Sequence, residues 1–255
     1  MKKEKSLVGK VAVITGGGQG VGFGIAQEFI EHGASVVITG RRLSVLEEAV
    51  ALLGPKSSAV VADVAKLAEM EAMFGEVIAR HGRLDTVVAN AITNANGPLG
   101  TITEEQWDHT FNTNAKGVLF SVQPALPYMK DGGTFVIIGS TASVQPPPSM
   151  SLYGGAKAAI RCMVRAWIQD IRGSGIRINV LTAGAIDTPS LRSALESASG
   201  AEKVDTAVKK MGEGNPIGRL GQPREIGKAA VFLASDASSF ITGIELFADG
   251  GMAQV

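Results

Sequence analysis

The sequence predicts an α/β fold, a single doubly wound domain whose seven-stranded parallel sheet carries helices on both faces. Three observations lead there. Short runs rich in Val, Ile and Ala recur along the 255 residues, separated by longer stretches with apolar residues at helical intervals. The runs lack polar alternation, as expected of strands buried on both faces. A glycine-rich turn, TGGGQGVG, joins the first run to the first helical stretch. Strand–helix alternation with short connections gives parallel strands, and right-handed crossovers wind them both ways.

In chain order, VAVIT at 11–15 is the first strand, and the glycine turn leads into a helix over 20–32. SVVIT at 35–39 is the second strand, and a helix over 43–53 follows Arg41 and Arg42. The third strand, 58–62, ends just before Asp63-Val64, and the next helix spans 67–80. LDTVVA at 84–89 is the fourth strand. The helical stretch 103–129 follows, interrupted by Asn112, Asn114 and Gly117, so two helices stand as an alternative to one. TFVIIG at 134–139 is the fifth strand, with a helix over 152–172 behind it. IRINVL at 176–181 is the sixth, a helix spans 223–233, and 244–247 closes the sheet. Irregular segments are expected at 92–102, at 144–151 with Pro146, Pro147 and Pro148, and at 183–221. A long segment late in an α/β fold is a candidate lid, here about 187–215. Residues 1–6 read as a charged tail and 7–255 as the single domain.

Composition narrows the function. Lys plus Arg and Asp plus Glu both number 24, giving zero formal net charge, and no basic stripe marks a nucleic-acid surface. The opening MKKEKS lacks the apolar core of a signal peptide, and no apolar run approaches the ~20 residues that span a bilayer. A cytoplasmic protein with no nucleic-acid or membrane partner is expected. Cys162 is the single cysteine and reads as a small core residue of the helix 152–172. His32, His81 and His109 stand apart at no metal-binding spacing, so no metal site is expected.

Two groups of residues carry chemistry. The glycines at 16, 20 and 22, with Gly17 and Gly18 beside them, let the backbone turn tightly and approach a pyrophosphate. The helix that follows offers free N–H groups and a partial positive charge. The spacing is not a strict GxGxxG, and no Lys-Ser/Thr pair makes it a Walker loop; a tight turn without a ligand is the plainer alternative. After the second strand, Gly40-Arg41-Arg42 stands where an NAD site holds an acid for the ribose 2′-hydroxyl. Arginine binds a 2′-phosphate by charge-assisted bonds, so NADP(H) is favoured, with NAD(H) the alternative. The plainer reading is that both arginines begin a surface helix.

The second group is Tyr153 and Lys157 in YGGAK, with Ser140 upstream in IIGSTAS. Tyr153 and Lys157 fall one turn apart on one helix. A free phenol titrates near ~10, and a neighbouring ammonium lowers that value. A hydroxyl from Ser140 could orient a carbonyl oxygen toward the phenol. Chance spacing is the plainer reading of the trio alone.

Together these residues resemble the short-chain dehydrogenase/reductase family in its compact branch, over nearly the whole chain. TGGGQGVG matches the family's TGxxxGxG loop, Asp63-Val64 the pair that meets the adenine, and Ala89-Asn90-Ala91 most of its Asn-Ala-Gly strand end. Asn114 in NTNAKG matches the helix asparagine of the catalytic tetrad, and Ser140, Tyr153 and Lys157 match the other three members. Leu220-Gly221-Gln222-Pro223, Ile241-Thr242-Gly243 and Asp249-Gly250-Gly251 match the C-terminal elements. Three departures stand out. Ile92 replaces the Gly after Asn-Ala, and isoleucine resists positive φ. Ala183-Gly184 replaces Pro-Gly, which would loosen the turn under the nicotinamide. Gln19 sits where many NADP-dependent members carry a basic residue.

The resemblance implies a Rossmann-type domain and reversible hydride transfer between a nicotinamide and a carbonyl/alcohol pair. Ser140 holds the carbonyl oxygen, Tyr153 is the general acid/base, Lys157 lowers its pKa and binds the ribose, and Asn114 holds a water. Cofactor contacts are implied for Gly16, Gly18, Gln19, Gly20, Val21, Arg41, Arg42, Asp63, Val64, Asn90, Ala91, Tyr153, Lys157, Gly184, Ile186 and Thr188. Asn94, Ala142, Val144 and Leu191 are the substrate candidates, a mainly apolar set that suits a neutral ketone or aldehyde; packing of a lid is their plainer role. An alcohol dehydrogenase working oxidatively with NAD, and a non-catalytic NADP(H)-binding sensor, are the alternative functions. The family also implies a homotetramer built on the helices 114–129 and 152–172 and the C-terminal strand region, with a dimer as the alternative.

Overall fold

The computed structural model describes residues 5–94, 96–129 and 132–255, without the side chains of residues 198 and 199. Residues 1–4 of the expected tail, and residue 95 of the expected irregular segment 92–102, lie outside the described residues. The strands are β1 (Val11–Thr15), β2 (Ser35–Gly40), β3 (Ser57–Val61), β4 (Thr86–Ala89), β5 (Gly133–Ser140), β6 (Ile176–Ala183) and β7 (Glu245–Ala248). The helices are α1 (Gly20–Glu31), α2 (Leu43–Leu53), α3 (Leu67–His81), α4 (Glu104–Phe111), α5 (Gly117–Val122), α6 (Ser151–Asp170), α7 (Pro189–Ser199), α8 (Val204–Glu213) and α9 (Pro223–Ala234). All seven strands form one parallel sheet in the order β3-β2-β1-β4-β5-β6-β7. The order in which strands are added reverses between β1 and β4, and the strand ends there open a crevice.

Burial on both faces explains the unbroken apolar strands. Val11 and Val13 join a core with Phe74 of α3 and Phe135 of β5. Ala12 and Ile14 join the opposite core with Phe29 of α1. Helices α3, α5 and α6 cover the first face; α1, α2 and α9 cover the second. Helices α1 and α9 approach closely through two glycines. A Cβ on Gly24 would lie 2.5 Å from Pro223, and one on Gly227 would lie 2.6 Å from the Gly24 carbonyl oxygen. Arg224 of α9 adds a hydrogen bond to the buried Glu28 of α1, Nε to Oε1 at 2.7 Å. No described helix is long and apolar enough to cross a membrane.

The structure revises several expected elements. β4 begins at Thr86, because the preceding Asp85 turns its carboxylate to accept the Val11 N–H at 2.8 Å. The stretch 103–129 is neither one helix nor two. Thr103 and Gln106 cap α4 reciprocally. A π-helical turn then runs over Asn112–Lys116, followed by α5 and a 3₁₀ turn over Gln123–Tyr128. Gly117 sits at the break because a Cβ there would fall 2.7 Å from Val64, and Pro127 has no N–H to continue a helix. The segment 183–221, expected to be irregular, holds α7 and α8. Thr188 caps α7 by accepting the Leu191 N–H at 3.2 Å, and Pro189 opens the helix. Cys162, expected in the core, is exposed on α6, since Ile160 and Val164 occupy the sheet-facing side.

Candidate active site

The crevice begins at the turn after β1. Gly16 and Gly20 take φ values of +65° and +57°, which disfavour any side chain. A Cβ at Gly22 would lie 2.3 Å from the Gly16 carbonyl oxygen. Asn90, at the end of β4, locks this turn. Its Nδ2 donates to the carbonyl oxygens of Thr15 at 2.9 Å and Gly16 at 3.1 Å. The backbone N–H groups of Asn90 and Ala91 donate to Thr15 Oγ1 at 3.0 and 3.1 Å. The Asn90 side chain is thus spent on shaping the turn.

From there a cleft of about 520 Å³ runs across the carboxyl ends of the strands. It gathers Gly16, Gly18, Gln19, Gly20 and Val21 from the turn, Arg41 and Arg42 after β2, Asp63 and Val64 after β3, and Asn90, Ala91 and Asn94 after β4. Ser140 and Tyr153 join from β5 and α6, and Gly184, Ile186, Thr188 and Leu191 from the segment after β6. Among the described residues, Arg41, Arg42 and Asp63 are the only charged ones lining it, all at the β2–β3 end. The opposite end is neutral, with Met150, Leu191 and Ala194 beside Asn94.

Four candidates do not line the cleft. Ala142 is buried against α6, its carbonyl oxygen 2.6 Å from where a Gly154 Cβ would stand, and Val144 faces solvent. Both follow from the short 3₁₀ turn Thr141–Ser143, which folds the chain back onto α6. Asn114 is fully buried in the π-helical turn. Its Nδ2 donates to Thr93 O at 2.7 Å and Thr110 O at 2.9 Å, while its Oδ1 accepts the Thr93 N–H at 3.2 Å. The amide thus joins the loop after β4 to α4. Lys157 lies behind the cleft wall, 1% exposed, with Nζ donating to Ile138 O at 2.7 Å.

The electrostatics of Tyr153 differ from expectation. Burial pushes the phenol above its ordinary value of 10.0, opposed by a hydrogen bond with Ser140. Lys157 Nζ is 5.8 Å from the ring centroid, but its own burial lowers it to about 8, because the same apolar wall disfavours both charged forms. The backbone departures are benign. Among described residues, Ser149 is the only non-glycine with positive φ, so Ile92 escapes that strain. Ala183 continues β6, paired opposite Ser140 and Ala248, so the turn starts one residue later. Sequence reasoning missed Thr113, Ser190 and Ala194 in the cleft wall. Ala194 follows from Leu191 at helical spacing once Thr188-Pro189 is read as a helix start, and Ser190 stands one turn before Ala194.

The comparisons with known proteins agree with this geometry. A family model described as "Enoyl-(Acyl carrier protein) reductase" matches residues 16–253. The chain is 45% identical to an oxidoreductase, asL5, of Sarocladium schorii, over the full length of both chains. It is 36% identical to the 3-oxoacyl-[acyl-carrier-protein] reductase FabG of Chlamydia muridarum, covering 97% of this chain and 98% of that protein. The ligand-free aldohexose dehydrogenase of Thermoplasma acidophilum superposes with a TM-score of 0.91 at 26% identity, covering 99% of this chain and 97% of the other. With the parallel sheet, the locked glycine turn and the Ser140–Tyr153–Lys157 arrangement at its centre, the chain is an oxidoreductase and belongs to the short-chain dehydrogenase/reductase family.

Proposed function

We propose that this chain is an NADP(H)-dependent carbonyl reductase acting reversibly on a neutral ketone or aldehyde and the corresponding alcohol. The carrying observation is the Tyr153 phenol, hydrogen-bonded to Ser140 at the cleft wall with the buried Lys157 behind its ring. The cradle suits a dinucleotide. Gly16 and Gly20 leave the turn free of side chains, and the amino end of α1 meets the cleft at Gly20 and Val21. Arg41 and Arg42 stand exposed at the end of β2, where a carboxylate would repel a 2′-phosphate.

A bound nicotinamide supplies the hydride chemistry. The chain supplies position and protons. Ser140 and Tyr153 hold the carbonyl oxygen through their hydroxyls. As negative charge grows there, Tyr153 passes its proton to it, and the Lys157 ammonium stabilises the phenolate left behind. Because burial raises the phenol, Tyr153 is protonated at neutral pH and ready to act as an acid. The neutral, apolar end of the cleft favours a substrate without charge. The exposed Cys162 and Ala166 on α6 leave a surface that a second copy covers in a homotetramer.

In reduction of a ketone panel followed by NADPH absorbance, Tyr153→Phe should lower kcat at least about a hundredfold. NADPH affinity, read by fluorescence titration, should stay within about twofold. Near-normal rates in the variant would remove the assigned role, and faster wild-type turnover with NADH would remove the NADP(H) preference.

A further inference from the structure

The segment between β6 and α9 meets the cleft on one side only. Thr188, Ser190, Leu191 and Ala194 line the cleft, while the Arg192 guanidinium reaches two carboxylates instead. Its Nε donates to Asp187 Oδ1 at 2.7 Å and its Nη2 to Asp187 Oδ2 at 2.9 Å. Its Nη1 donates to Asp205 Oδ1, in the first turn of α8, at 2.9 Å. Asp187 is itself anchored: its N–H donates to Gly221 O at 2.9 Å and its carboxylate is hydrogen-bonded to Gln222, the residue that caps α9. One side chain therefore joins the root of α7, α7 itself and α8, and the root is tied to the framework.

We propose that Arg192 is a positioning residue for the substrate: an ionic latch that fixes the rotation of α7, so that Leu191 and Ala194 face the cleft. This rests on the carbonyl-reductase reading. The guanidinium fork suits the task, since two parallel bonds to one carboxylate and a third to another fix a plane, whereas an ammonium fixes only a point. Hydrogen bonding from Arg192 holds the Asp187 carboxyl below its usual range, so the latch is charged at neutral pH. Its two arms differ. The Asp187 side chain is 17% exposed and that of Asp205 is 90% exposed. Salt screens the outer arm first, and the latch loosens as ionic strength rises.

The test uses the full chain and two independent readouts. In Arg192→Ala, amide hydrogen exchange across residues 189–213 should speed up roughly tenfold, with the melting temperature and NADPH affinity held. Arg192→Lys should fail to restore protection, and Asp205→Asn should give a smaller effect. At saturating NADPH, the ketone KM of Arg192→Ala should rise about tenfold while kcat stays within about twofold. The wild-type KM should climb with added sodium chloride and that of Arg192→Ala should not. Unchanged exchange in Arg192→Ala overturns the latch, whether or not any ketone is reduced. Faster exchange with an unchanged KM overturns the positioning role. A wild-type chain that reduces no ketone counts against the carbonyl-reductase reading alone, and the exchange measurement still decides the latch.

Discussion

At the scale of single residues, Lys157 shows what burial costs a charged group. Its ammonium is fully buried beside Ile138 O and its pKa is lowered from 10.5 to about 8. Between those values the unfolded chain binds more protons than the folded one, so stability rises as pH increases through that window. The raised phenol of Tyr153 does not oppose this, because it acts only above its ordinary value of 10.0. Lys157→Met removes the titration. Between about pH 7 and about pH 9.5, the wild type should gain roughly 2 kcal/mol relative to that variant. Thermal melts of both proteins at the two pH values check this; a difference that does not change with pH would rule out a buried charge. The placing of Tyr153 and Lys157 side by side was legible from spacing, since one helical turn brings them together. The direction of the Tyr153 shift was not. It depends on how deeply neighbouring segments bury the phenol, which local spacing does not carry. The same limit hid half of the Asn114 amide: Thr110, four residues back, is a helical neighbour, but Thr93 becomes one only when the loop after β4 folds back.

At the scale of elements, the α1–α9 contact makes a prediction whose sign is informative. On an exposed helix, Gly→Ala is stabilising by about 1 kcal/mol. At Gly24 the added Cβ would meet Pro223 at 2.5 Å, against both its backbone and its ring. The helices must separate, and overpacking of this kind costs roughly 1–3 kcal/mol. Gly24→Ala should therefore lower stability in a urea melt, and a stabilised variant would mean that α9 yields easily. Most strands and helices were legible from apolar period alone, because both faces of the sheet are covered. Two helices were not. α7 and α8 carry few apolar residues and bury almost none of them, so an apolar reading passes over them, although Thr188-Pro189 announces the first. The broken stretch 103–129 was half legible: Gly117 marked the interruption, but the need for close approach to Val64 shows only in three dimensions.

At the scale of the whole molecule, the proposed tetramer predicts a light-scattering mass of about four times the 26.4 kDa of one chain at micromolar concentration. A mass near that of one chain would sink it. Parallel alternation was readable from the sequence, whereas the strand order β3-β2-β1-β4-β5-β6-β7 had no local signature, since pairing partners such as β1 and β4 lie far apart along the chain. The glycine contact between α1 and α9 also has a consequence for biosynthesis. On the ribosome, Ile25 and Phe29 of α1 emerge well before the residues of α9 that cover the same face, Ile226 and Ala230 among them, roughly 200 residues further along the chain. At about 5–20 residues per second the interval is roughly ten seconds or more. Throughout it the nascent chain carries an uncovered apolar face, which closes only when α9 is released.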